Sequence, residues 1–131
     1  MVSEVKKYTI LVVEDEVSML KALRGKLLDE GFGVLEAKNG EEGLLHASIS
    51  HPDLILLDLI MPVMDGVTML KKLRAGDGWG KTVPVIILTN LTMAEGKKDE
   101  DVVEDEFTHY LVKTDWKIND IVKKTREVLG L

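Results

Sequence analysis

An α/β fold built on one doubly wound parallel sheet of five strands is what this sequence predicts. Three observations carry the expectation. Short apolar runs alternate with segments of helical period along the whole chain. Three of those runs, residues 10–13, 54–57 and 85–88, are apolar at every position, the pattern of a strand covered on both faces. Finally, 131 residues fit a single domain, and no repeat, linker or low-complexity tract divides them.

The elements follow in order. Strands are expected at residues 8–13, 33–37, 54–57, 83–88 and 108–112. The first helix runs from about Val17 to Glu30, with Leu20, Leu23, Leu27 and Leu28 on one side and Gly31 as its stop. The second starts after Asn39-Gly40 and carries Leu44, Leu45 and Ala47. The third carries Val67, Leu70 and Leu73 and ends near Gly76. Residues 76–80, Gly-Asp-Gly-Trp-Gly, read as a loop in which Trp79 packs. The segment 95–106 holds seven acids against Lys97 and Lys98 and reads as a short, loosely held helix with a solvated face. In the last helix Ile118, Ile121, Val122, Thr125, Val128 and Leu129 keep helical spacing, with Asp115 as its cap. A strand–helix unit repeated five times gives right-handed crossovers and a doubly wound sheet. Ligands then belong at the carboxyl ends of the strands.

Composition narrows the function classes. The absence of cysteine removes disulfides, thiolate metal sites and a cysteine nucleophile. A net charge of −6, from 17 basic and 23 acidic residues, disfavours nonspecific nucleic-acid binding. No apolar run approaches the roughly 18 residues of a membrane span, and the charged first residues do not form a signal peptide. A cytoplasmic domain, monomeric or weakly associating, is expected.

The strand ends carry the chemistry. The first strand runs into Glu14-Asp15-Glu16, the third into Asp58, the fourth into Thr89-Asn90 and the fifth into Lys113-Thr114. Any one of these alone reads as a helix cap or a solvated turn. Together they put three carboxylates, a hydroxyl and an ammonium along one rim. Crowded carboxylates repel and call for a cation. Oxygen ligands without His or Cys suit a hard ion, Mg2+ first. A carboxylate beside such an ion and a lysine can attack phosphorus and form an aspartyl phosphate.

Four blocks in order, Ile10-Leu-Val-Val-Glu-Asp-Glu16, Pro52-Asp-Leu-Ile-Leu-Leu-Asp-Leu-Ile-Met-Pro-Val-Met-Asp-Gly66, Pro84-Val-Ile-Ile-Leu-Thr89 and Tyr110-Leu-Val-Lys113, resemble the receiver domain of two-component response regulators across essentially the whole chain. The resemblance implies a flavodoxin-like sheet with strand order 2-1-3-4-5 and a single receiver domain over residues 1–131, without an output domain. It implies Asp58 as phosphoacceptor. Asp15 would bind Mg2+ directly, Glu14 through water, and the Ile60 backbone carbonyl would add a ligand. Lys113 would pair with the phosphoryl group, Thr89 would hydrogen-bond it, and Tyr110 would be the aromatic switch that turns inward as Thr89 moves. Pro62 and Gly66 would shape the loop after the third strand. The implied partners are a histidine kinase or phosphotransfer protein and an unidentified downstream protein, reached through the face made by the 95–106 segment, the last strand and the last helix. The implied catalysis covers only the domain's own phosphorylation and dephosphorylation.

Departures from the family pattern matter. Thr114 stands where proline is common, so the Lys113–Thr114 bond is expected trans. Asn90 replaces a small residue and would crowd Asp58. Residues 106–109, Glu-Phe-Thr-His, replace a more usual small-and-acidic run. Ile60 and Leu91, two residues beyond Asp58 and Thr89, are apolar and cannot orient an attacking water, so self-dephosphorylation is expected to be slow. His46, His51 and His109 share no ligand spacing and read as surface or structural, and Trp116 as cover for the start of the last helix. Three rivals differ in kind. A phosphorylation-independent binding module is weighed against the complete acidic and lysine set. A flavin carrier would want a Ser/Thr/Gly cradle where Glu14-Asp15-Glu16 is anionic. A small-molecule phosphohydrolase would want a capping insertion.

Overall fold

The computed structural model describes residues 7–76, 78–91 and 106–131. Five strands, β1 (Thr9–Val13), β2 (Gly33–Ala37), β3 (Leu54–Leu57), β4 (Val85–Thr89) and β5 (His109–Val112), pair in parallel in the order β2-β1-β3-β4-β5. The helices are α1 (Val17–Asp29), α2 (Gly40–Ser50), α3 (Gly66–Arg74), a one-turn α4 (Gly78–Thr82) and α5 (Ile118–Val128).

The all-apolar strands divide their side chains between two cores. Ile10, Val12, Leu54, Leu56, Ile86 and Leu88 point to one face, where Leu20, Leu23 and Leu27 of α1 and Ile121 and Val122 of α5 cover them. Leu11, Val13, Ile55, Leu57, Val85 and Ile87 point to the other, under Ala47 of α2 and Met69, Leu70 and Leu73 of α3. Alternation along a strand thus feeds both layers, and within the three apolar runs no position is left for a polar residue.

Local chemistry sets the helix ends. Past α1, Gly31 sits at φ +89°, and the Gly31 and Phe32 amides donate to the Leu28 and Leu27 carbonyls, a left-handed stop that glycine adopts without strain. At α2 the Asn39 side chain accepts from the Glu42 amide at 2.9 Å, while Glu42 accepts from the Lys38 amide. At α3 the Asp65 side chain accepts from the Thr68 amide at 2.8 Å. Each satisfies a donor that the helix leaves open.

Four expectations need correcting. β4 begins at Val85 rather than residue 83 and extends to Thr89, which pairs with Val112; Pro84 has no amide to donate and serves only as acceptor for Ile55. Residues 78–82 are a helical turn rather than a loop. Gly80 lets that turn press on α3, since a β-carbon there would lie 2.6 Å from the Leu73 carbonyl oxygen. The Trp79 ring stacks on His51, with centroids 4.4 Å apart and planes within 7°. Asp115 does not cap the last helix: residues Lys113–Asp115 wind into a 3-10 turn, and Lys117 takes the cap position without a side-chain bond. Strict strand–helix alternation is broken by α4, which gives β3 and β4 two helices between them. The acidic segment 95–106 lies outside the described residues except for Glu106. No described peptide bond is cis, Lys113–Thr114 included. No helix among the described residues is long and apolar enough to cross a membrane.

Candidate functional site

Register brings the site together. Val13 pairs with Leu57, and the Asp58 amide donates to the Val13 carbonyl at 3.0 Å, so Glu14 and Asp58 leave adjacent strands side by side. Thr89 ends β4, and Lys113 follows directly on β5. Four neighbouring strands therefore release their residues into one cleft, lined by Asp15, Glu16, Asp58, Ile60, Thr89, Asn90 and Lys113.

Within it, carboxylate oxygens of Glu14, Asp15 and Asp58 lie within 4.8 Å of one another. Glu14 and Asp58 are buried and Asp15 is exposed. The Lys113 ammonium stands between the two buried acids, 2.8 Å from Glu14 Oε2 and 3.1 Å from Asp58 Oδ2, with Glu16 Oε2 at 3.6 Å. Backbone amides complete the frame. The Ile60 amide donates to Asp58 Oδ1 at 3.3 Å, and the Glu16 amide donates to Glu14 Oε1 at 3.0 Å.

The electrostatics follow from this packing. Burial pushes the Glu14 carboxyl above its ordinary value, and the neighbouring Asp58 charge adds to that. The Lys113 and Glu16 hydrogen bonds pull it back only in part. For Lys113, burial opposes the charge, but hydrogen bonds and attraction from Glu14 and Asp58 outweigh it, so the ammonium is held above its ordinary range. The acids thus have an internal counterion. Lys113 already neutralises part of the repulsion among the carboxylates, without a metal. No feature of the sequence spacing marks the Glu14–Lys113 pair, whose members are 99 positions apart.

Three oxygen donors on loops at one rim fit a hard divalent cation better than a soft one. Thr89 adds a second polar feature to the cleft. It is fully buried, and its hydroxyl has no hydrogen-bond partner among the described residues, a state that costs free energy until something polar arrives.

The loop after β3 is shaped by close approach more than by turning. A β-carbon on Gly66 would meet the Asp58 carbonyl oxygen at 2.1 Å and Leu59 Cα at 2.8 Å. The left-handed conformation expected of a tight turn falls instead on Val63, at φ +66°, an uncommon place for a β-branched residue. Tyr110 is half-buried. Its hydroxyl donates to the Leu91 carbonyl at 3.0 Å, and its ring meets Phe107 edge-on at 5.8 Å.

The profile of the response regulator receiver domain matches residues 10–126. A probable transcriptional regulator, ycf27, of Cyanophora paradoxa is 39% identical over 67% of this chain and 35% of its own length. The KDP operon transcriptional regulatory protein KdpE of Escherichia coli is 42% identical over 61% of this chain and 34% of its own length. The chain thus spans about a third of the length of these relatives. Among solved structures, the chemotaxis response regulator CheY4 of Vibrio cholerae is similar at TM-score 0.81 and 28% identity, over 94% of this chain and 99% of that one. CheY in the CheX-CheY-BeF3-Mg2+ complex from Borrelia burgdorferi is similar at TM-score 0.78 and 26% identity, over 93% of this chain and 89% of that one.

Proposed function

We propose that this chain, which belongs to the response regulator receiver domain family of two-component signalling, accepts a phosphoryl group on Asp58 from a histidine kinase or phosphotransfer protein. One observation carries the reading. Asp58 Oδ2 lies 3.1 Å from Lys113 Nζ, and its carboxylate lies within 4.8 Å of those of Glu14 and Asp15, in the cleft that also takes the Thr89 hydroxyl, which has no hydrogen-bond partner among the described residues.

An Asp58 oxygen attacks phosphorus in line, a P–O bond forms, and the P–N bond to the donor imidazole breaks. The Lys113 ammonium sits where charge develops on the transferred oxygens. The Thr89 hydroxyl, without an acceptor among the described residues, donates to a phosphoryl oxygen. Glu14, Asp15 and Asp58, with the Ile60 carbonyl, would hold Mg2+, which when bound supplies further neutralisation of the phosphoryl charge. A relative recorded with BeF3 and Mg2+ supports that ligand pair, since trifluoroberyllate mimics a phosphoryl group. The added charge draws Thr89 inward and shifts the population of a second arrangement of β5, Tyr110 and α5, the surface a downstream protein reads. The Ile60 and Leu91 side chains offer no polar atom to orient an attacking water, so the acyl phosphate outlives the seconds scale; its loss within seconds at room temperature would refute that point.

The test is incubation with acetyl phosphate and Mg2+, followed by intact mass. A phosphoryl increment that needs Mg2+ and is missing in Asp58→Asn is expected. No increment in the unmutated protein would overturn the reading in favour of a domain that signals by protein contact alone.

A further inference from the structure

One dipeptide of the chain, Asn39-Gly40, is chemically unstable wherever the backbone is free to move. Glycine carries no side chain to keep its nitrogen off the preceding carboxamide. Base removes the Gly40 amide proton, and the nitrogen bonds to Asn39 Cγ. The bond from Cγ to the side-chain nitrogen breaks, and ammonia leaves. Water then opens the succinimide ring at either carbonyl and leaves aspartate or isoaspartate at position 39. Water is the only co-reactant.

The fold opposes each part of that reaction. The Gly40 amide donates to the Met64 carbonyl at 2.8 Å, which retains the proton that has to leave. Asn39 Oδ1 accepts from the Glu42 amide at 2.9 Å, and Asn39 Nδ2 donates to Glu42 Oε2 at 3.3 Å, so both ends of the carboxamide are tied into α2. Gly40 is buried. A β-carbon on it would lie 2.8 Å from the Met64 carbonyl oxygen and 2.9 Å from that of Asp65. Main chain meets main chain there, and the Gly40 nitrogen is freed only when the start of α2 lifts off residues 64–65.

We propose that Asn39-Gly40 is a latent deamidation site, held unreactive by the seat of α2 on Met64 and Asp65, so that conversion at position 39 records the opening of α2 away from the loop that follows Asp58. The chemistry does not depend on the phosphoacceptor reading. Either product disturbs the seat. Aspartate keeps an acceptor for the Glu42 amide, but it sets a carboxylate against Glu42 Oε2 where Nδ2 donated, and like charges repel. Isoaspartate adds a main-chain atom where the Gly40–Met64 contact leaves no room. The mark is one-way, and it weakens the contact that had suppressed it.

The test follows conversion at position 39 by peptide mass spectrometry, in one mildly alkaline buffer, for the folded protein and for the same chain unfolded in urea. Exchange of the Gly40 amide proton in the folded protein is followed by NMR. Both reactions pass through the opened form, so each is slowed by the population of that form. Conversion in the folded chain is expected to be at least about ten-fold slower than in urea. The slowing of Gly40 exchange, measured against the unfolded chain, is expected to match it within about three-fold. Equal conversion rates in the folded and unfolded chain would overturn the proposal, as would no conversion in either. Slow conversion beside unprotected exchange at Gly40 would overturn it as well, because the bond to Met64 would then not be the lock.

Discussion

Replacing Gly66 by alanine asks whether the phosphoacceptor loop is held by backbone contact. The added methyl would sit 2.1 Å from the Asp58 carbonyl oxygen and 2.8 Å from Leu59 Cα. Carbon–oxygen contacts settle at about 3.3 Å, so the loop has to open by roughly 1 Å. Both opposing atoms are main chain, and no side chain can swing aside. The 2.9 Å bond from the Gly66 amide to the Leu59 carbonyl crosses the same gap, and its loss costs about 1 kcal/mol. Overpacking of this kind costs about 1–3 kcal/mol more. Alanine's helical preference over glycine returns at most about 1 kcal/mol. The net destabilisation is about 1–3 kcal/mol. Gly25, exposed within α1 with no atom within 4 Å of an added β-carbon, is the control, and Gly25→Ala should stabilise by up to about 1 kcal/mol. Urea unfolding followed by circular dichroism reads both as shifts of midpoint at a slope of about 1–3 kcal/mol per molar. The same substitution should thus act with opposite signs at the two sites. The displaced Asp58 should also take up less phosphoryl from acetyl phosphate. A Gly66→Ala midpoint equal to or above that of the unmutated protein would refute the contact argument.

Three further outcomes are expected. Thr89→Val removes a buried hydroxyl that has no partner among the described residues, and should raise ligand-free stability by about 1–3 kcal/mol in the same assay while weakening trifluoroberyllate binding; a destabilised ligand-free variant would count against an orphaned hydroxyl. Val63→Asn places a residue that tolerates left-handed backbone at φ +66° and should stabilise by about 1 kcal/mol, and an unchanged melting temperature would show that the loop carries no such strain. Lys113 is held above its ordinary 10.5 in the folded chain, so the stability it contributes is present below that value and is lost as pH rises through the folded pKa. Unfolding titrations should therefore show the unmutated protein losing stability faster than Lys113→Gln above pH 10.5, and parallel curves would contradict the ion-pair geometry.

The sheet was legible because three runs have no polar residue at all, and only a strand covered on both sides has no use for one. The candidate site was legible for a related reason: each polar residue that breaks an apolar run, Glu14, Asp58, Thr89 and Lys113, stands at a carboxyl end, and parallel pairing puts those ends on one rim. Long-range pairings left no such trace. Nothing near Lys113 announces that Glu14 will be its shortest partner, or that Glu106 will be gripped by Lys71 and Arg74. Glycine-rich residues 76–80 look like a loop because glycine is a poor helix former, yet Gly80 is there to let a helical turn touch α3. Asp115 has the right chemistry for a cap, but the 3-10 turn after Lys113 carries it out of position. Gly66 reads in the sequence as a turn residue, whereas its role is to leave room for the Asp58 carbonyl.

The sheet's two-sided character has a wider consequence. Because neighbouring residues of one strand report to separate dry compartments, the strands act as a bulkhead between them. The compartment under α2 and α3 adjoins the Gly66 loop and the Phe107–Tyr110 pair, whereas the one under α1 and α5 holds the opposite side of the same strands. Repacking one compartment in volume-matched steps therefore leaves the other's side chains facing their original neighbours. The α1–α5 layer is accordingly the place to tune heat tolerance, with the opposite layer left to govern the response.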